Sequence, residues 1–127
     1  MAIRRQTIAV TGATGGAGVA TISAIGDELI EGEVIAVYLE YLDSPPGTTD
    51  VVIREANNSP ALPIFSAVNA NTSGWFYPEV IPVSTVNGAI TDAHRRVKVA
   101  DYPYVSIAQA NDGDGVNVTI VWDDLKD

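Results

Sequence analysis

Apolar and polar residues alternate most clearly near the C-terminus. Val116, Val118, Ile120 and Trp122 take one side, and Asn117, Thr119 and Asp123 take the other. A repeat of two residues predicts a half-buried strand, here interrupted once at Val121. The preceding run Asn111-Asp112-Gly113-Asp114-Gly115 tolerates positive φ, so a hairpin turn is expected, with Tyr104 to Ala110 as the partner strand. Arg96 to Val99 alternates as well, and Asp101-Tyr102-Pro103 separates it from the next strand. Val34 to Leu42 is almost continuously apolar. Ile35, Val37, Leu39 and Tyr41 are expected to share one face, and with Val34, Ala36 and Tyr38 also apolar the segment reads as a central strand covered on both sides. Asp43 to Gly47 is a turn, and Thr48 to Glu55 is the strand after it.

Two further strands, Thr7 to Val10 and Val19 to Ile25, flank a loop rich in Gly, Thr and Ala. Residues 1–6 are expected to be a flexible N-terminal arm carrying Arg4 and Arg5. Residues 56–94 are less regular, with loop chemistry at Asn57 to Pro60, Asn69 to Gly74 and Asn87-Gly88. The spacing of Ile90, Ala93, His94 and Val97 allows a helical turn or two and no more. The expectation is a single β-sandwich domain over residues 7–127, of about eight strands.

Composition agrees with the pattern. The chain has 127 residues, with 16 Val and 12 Ile against 5 Leu. β-Branched side chains are stiff at χ1 and suit a pleated surface, which favours an all-β fold. There are no cysteines, which removes disulfides, thiolate metal sites and thiol nucleophiles. A net charge of −9 argues against nucleic acid as a partner, because such binding draws on Lys and Arg that neutralise phosphates. No apolar run approaches the ~20 residues that cross a bilayer. No membrane partner is expected.

The sharpest motif is Thr11-Gly12-Ala13-Thr14-Gly15-Gly16-Ala17-Gly18, which resembles the phosphate-binding turn of short-chain dehydrogenases. Val19, Ile22, Ile25 and Leu29 could even form a helical stripe, and Asp43 could serve as the ribose acid. Three observations reject that reading. No crossover helix can be found after residue 33, as a doubly wound sheet requires. The residues four beyond Tyr38, Tyr41, Tyr77, Tyr102 and Tyr104 are Leu42, Pro45, Ile81, Ser106 and Ala108, so no Tyr-x-x-x-Lys pair exists. The supposed helix is also poor in helix formers. A loop between two strands is expected instead, with no nucleotide cofactor.

Other chemistry is sparse. His94 is the single histidine, and no Gly-x-Ser-x-Gly elbow accompanies any serine. Asp112 to Gly115 lacks the ligand periodicity of a calcium loop, so no metal is expected there. No catalytic residue is assigned, and the chain is read as non-enzymatic. Trp75-Phe76-Tyr77 places three aromatics together, and alternation sends successive rings to opposite sides. At least one ring is thus available as a partner anchor or a carbohydrate platform. Arg95, Arg96 and Lys98 form a basic cluster suited to an acidic partner. Arg4, Arg5, Trp75, Phe76, Tyr77, Arg95, Arg96 and Lys98 are therefore the candidate partner-contact residues.

Taken together, the segments resemble a family of small decoration proteins of tailed-bacteriophage heads. The similarity lies in the Gly/Thr/Ala-rich strand pair, Gly32 to Tyr38, Thr49 to Ile53, Trp75 to Pro78, Val97 to Val99, Val105 to Gln109 and Asp112 to Val121. Glu79 stands where the family has a base. The resemblance implies a jelly-roll-like sandwich on the virion surface, made in the host cytoplasm, that binds the major capsid protein as a homotrimer and cements the assembled head. A neck, tail or fibre component and a carbohydrate-binding module are the alternatives.

Overall fold

A computed structural model of the chain describes residues 2–80 and 95–125 and, between them, the strand residues 83–84 and 88–89. His94, the short helical spacing that begins at Ile90, and Met1 lie outside the described residues. The strands are β1 (Ala2–Val10), β2 (Ala20–Ile25), β3 (Ile30–Leu42), β4 (Asp50–Glu55), β5 (Pro63–Ala67), β6 (Gly74–Phe76), β7 (Glu79–Val80), β8 (Val83–Ser84), β9 (Gly88–Ala89), β10 (Arg95–Asp101), β11 (Pro103–Ala110) and β12 (Gly115–Asp124). No helix occurs among the described residues.

The main strands form two antiparallel sheets. One has the order β1-β12-β3-β10-β7, with β6 also on β3, and the other has the order β2-β11-β4-β5. Chain order alternates between the sheets at nearly every step, and eight principal strands remain once β6 to β9 are set aside as an insertion. That winding is a jelly roll. Its core is the inner face of both sheets, including Val10, Ile30, Val34, Val37, Leu39, Val51, Ile53, Val105, Val118, Ile120 and Trp122. Burying each such side chain contributes roughly 1.5–3 kcal/mol against leaving it in water.

Two expectations need correction. Residues 2–6 are not an arm. They belong to β1 and pair with β12 from Ala2 opposite Asp124 through Gln6 opposite Ile120. The backbone ladder and the inward side chain of Gln6, only 7% exposed, hold them down. Ile35 does not share a face with Val37 and Leu39. Val121 lies opposite Ala36 and Trp122 opposite Val34, so Ile35 is an extra residue in β3. This β-bulge shifts the side-chain phase, so the core residues are Ile30 and Val34 before it and Val37 and Leu39 after it. The Val121 interruption seen in the sequence marks the same place on the neighbouring strand.

The dinucleotide-like loop joins β1 in one sheet to β2 in the other and leads into no helix. Its chemistry serves the fold. Ala13 donates its N–H to the Asp114 carbonyl and accepts from Gly113 N–H, and Gly18 N–H donates to Asn111 Oδ1. Backbone turns at Gly12, Gly15 and Gly18 all carry positive φ.

Candidate functional site

Register decides which sequence candidates meet. In β1 the even residues Gln6, Ile8 and Val10 face the core, so Arg5 and Thr7 face outward. In β12 Asn117, Thr119 and the buried Val121 have the outward phase; in β10 Arg96, Lys98 and Ala100 do. In β3 beyond the bulge the outward residues are Tyr38 and Glu40. Pairing then lines these up as rows across the sheet. Thr7 is opposite Thr119, Thr119 opposite Tyr38, and Tyr38 opposite Trp75. A parallel row joins Ala9, Asn117 and Glu40. Toward the other end, Arg5 is opposite Val121 and Ala36, while Lys98 is opposite Glu33.

The outer face of the six-stranded sheet therefore gathers Arg5, Trp75, Arg96 and Lys98. The remaining candidates sit elsewhere. Arg4 faces the end of the sandwich that carries Glu28 and Leu29, where its guanidinium pairs with Asp124 beside buried Trp122. Phe76 turns inward and packs on Phe65, ring centroids 5.1 Å apart. Tyr77 follows β6 and is exposed, and Arg95 lies opposite Val80 at the sheet margin.

Two halves of this face differ in character. Around Trp75, which is 45% exposed, the ring meets Tyr38 at 5.0 Å between centroids with planes tilted by 53°. Beyond them lie hydroxyls and an amide: Thr7 and Thr119 share a hydrogen bond of 2.9 Å, and Asn117 Nδ2 donates to Glu40 Oε1 at 3.1 Å. The other half is basic. An open groove of about 590 Å³ runs beside β10 between Leu62, Val80, Glu33 and the cations Arg95, Arg96 and Lys98. Alternation in the sequence shows Asn117 and Thr119 as outward, but only strand register reveals that Thr119 continues a row to Trp75 and that Asn117 stands beside Glu40 in the next row. Glu40, Thr7 and Tyr38 were missed for that reason.

At the ends of the sandwich, buried polar groups hold loops. Asp101 accepts hydrogen bonds from the backbone of Asn57 and Asn58, each 2.7 Å, from Tyr102 N–H at 2.6 Å and from Asn57 Nδ2. Burial alone would raise its pKa, but these four donors outweigh it and hold the carboxyl below its ordinary value. At the opposite end burial first, and the carboxylate of Asp50 second, push the Tyr41 phenol up. Among the described residues no group of three or more His, Asp or Glu could hold a metal ion.

No family model matches the chain, and no curated protein matches it. A solved structure of a mutant of CBM29-2, a family 29 carbohydrate-binding module, is similar at a TM-score of 0.44 and 9% identity, covering 95% of this chain and 81% of that one.

Proposed function

We propose that this chain is a non-enzymatic structural protein of a virion, which binds the outside of an assembled capsid through the outer face of its six-stranded sheet. The observation that carries the reading is convergence: Arg5 of β1 and the pair Arg96 and Lys98 of β10, far apart in sequence, lie on one face. The resemblance of the sequence segments to small decoration proteins of tailed-phage heads supports it as well. A protein that binds only the assembled lattice stabilises that state by its binding free energy. Assembly as a homotrimer would multiply weak contacts into avidity.

Arg5, Arg96 and Lys98 have the right sign for an acidic capsid shell on a chain whose net charge is −9. Each exposed pair is worth under ~1 kcal/mol, so the sum over many contacts decides occupancy. The test is co-sedimentation with undecorated heads of the source virus. The Arg5→Ala/Arg96→Ala double variant should occupy fewer sites at an unchanged melting temperature. Raising salt should lower wild-type occupancy more than that of the variant, because exposed charges are screened over ~8 Å at physiological strength. Equal occupancy of both proteins at every salt concentration would reject docking through this face.

A further inference from the structure

We infer that the Trp75 half of the same face is a binding strip for a neutral glycan, with a pyranose ring seated on the Trp75 indole. The strip uses the residues that capsid docking through cations leaves idle, so either can fail without the other.

Trp75 and Trp122 lie in the same sheet, one 45% and the other 1% exposed. An indole that is left half in water at a sheet margin offers a flat apolar platform. A sugar ring has a matching apolar C–H face and a rim of hydroxyls that need partners. Those partners stand beside it. Tyr38 supplies a hydroxyl, Thr119 and Thr7 carry the row onward, and the next row holds Asn117 and Glu40. Within that pair Asn117 Nδ2 is used on Glu40 Oε1, which leaves the second Glu40 oxygen and the Asn117 carbonyl as acceptors among the described residues. A few placed polar groups beside an aromatic surface are what fixes a small ligand in orientation.

Charge and size select the occupant. The two rows contain one carboxylate and no cation, so an anionic ligand gains nothing there, whereas a neutral polyol can use every group. Four strands span ~14 Å at ~4.8 Å spacing, and two rows of outward residues are ~7 Å apart. Even with side-chain width that is a strip of roughly 200 Å², well short of the ~800 Å² per partner of a stable protein interface. A narrow linear ligand fits it, and the strip by itself is too small to hold a second protein.

The experiment is a titration of the full chain with maltohexaose, cellohexaose, mannohexaose and chitohexaose, with polygalacturonate as the anionic control. It is read by tryptophan fluorescence in wild type and Trp122→Phe, where Trp75 is the sole reporter, and by calorimetry. At least one neutral hexasaccharide should bind saturably at up to millimolar concentration. Trp75→Ala should weaken that binding at least tenfold, and Glu40→Gln severalfold, with melting temperatures unchanged, while Arg5→Ala/Arg96→Ala leaves it intact. Three results would each overturn the strip: no hexasaccharide binding, binding that survives both Trp75→Ala and Glu40→Gln, or polygalacturonate binding that is as tight as that of the neutral chains and is lost in Trp75→Ala. A dimer that Trp75→Ala dissociates would overturn it too, by giving the indole to a second copy.

Discussion

The two ends of the sandwich solve the same problem by different means. At the upper end, formed by loops 11–19, 43–49, 68–73 and 111–114, the chain uses backbone conformation. Every described residue with positive φ is there: Gly12, Gly15, Gly18, Asp43, Ser44, Asn69 and Gly113 in the loops, and Gln109 at the irregularity where β11 runs into the last of them. At the lower end, loops 26–29 and 56–62 contain none. They hang instead on buried side chains that imitate a strand partner. Gln6 both donates to and accepts from the backbone of Glu28, Glu55 accepts from Leu62 N–H, and Asp101 takes the amides of Asn57 and Asn58. The difference teaches where each end is vulnerable. A left-handed turn fails when a side chain is added, and a side-chain clip fails when its acceptor is removed or protonated.

The largest expected effect is at Gly32, where β3 passes β12 near the lower end. A Cβ there would lie 1.9 Å from the Asp123 carbonyl oxygen, so backbone must move. Gly32→Ala should cost more than ~3 kcal/mol, at the upper edge of what overpacking does. Urea denaturation checks it. A loss under ~1 kcal/mol would mean that β3 and β12 can separate locally at no great expense.

Next comes Gly15 at the upper end, with φ of 141° and a Cβ that would meet Ala20 Cα at 2.9 Å. Gly15→Ala should cost about 1–3 kcal/mol. Its neighbour Gly16 lacks positive φ and would meet only the Val19 side chain at 3.5 Å, so Gly16→Ala should stay within about 0.5 kcal/mol. Equal losses at the two positions would break the claim that conformation holds this end.

Asn111→Ala removes the acceptor of Gly18 N–H, a bond of 2.9 Å that ties the first loop to the last turn. About 1 kcal/mol is expected. Melting temperature measures it, and Arg54→Ala, on the outer face of the other sheet, is the comparison for a contact far from either loop.

The acid response is smallest at neutral pH and grows only below it. The folded pKa of Asp101 lies below its unfolded value of 3.8. Its contribution is thus complete above that value and is lost as pH falls through the folded pKa. Between pH 5 and pH 2.5 wild type should lose more stability than Asp101→Asn, which has already lost the charge. Parallel curves for the two proteins would remove Asp101 as the clip of loop 56–62.

Some of this was legible in the residues. Alternation in Val116 to Trp122 and in Arg96 to Val99, the Val and Ile excess, and the Gly-rich hairpin each follow from local preference, and each strand forms where its pattern stands. The weak helix formers after Gly18 act through the same local terms. What alternation could not reveal is phase across strands. Ile35 changes face because β12 opposes two residues of β3 with one, a fact that belongs to the pair of strands and to neither sequence alone. The arm is the same case. Residues 2–6 look free because their partners, Ile120 to Asp124, are at the other end of the chain.

The sequence by itself determined that the chain would be sheet and where its turns would fall, because strand propensity and turn chemistry act over a few residues. It also limited the chemistry, with one histidine, no cysteine and few cations. Only the tertiary structure decided that Arg5, Trp75, Arg96 and Lys98 share a face, that Arg4 and Phe76 leave it, and that Tyr38, Thr119 and Thr7 extend a row from Trp75. Winding of the jelly roll sets which strands adjoin, and one bulge sets which side chains of β3 point outward. Both are long-range contacts, and no short stretch of chain encodes a neighbour that is 80 residues away in sequence, as Glu40 and Asn117 nearly are at a separation of 77.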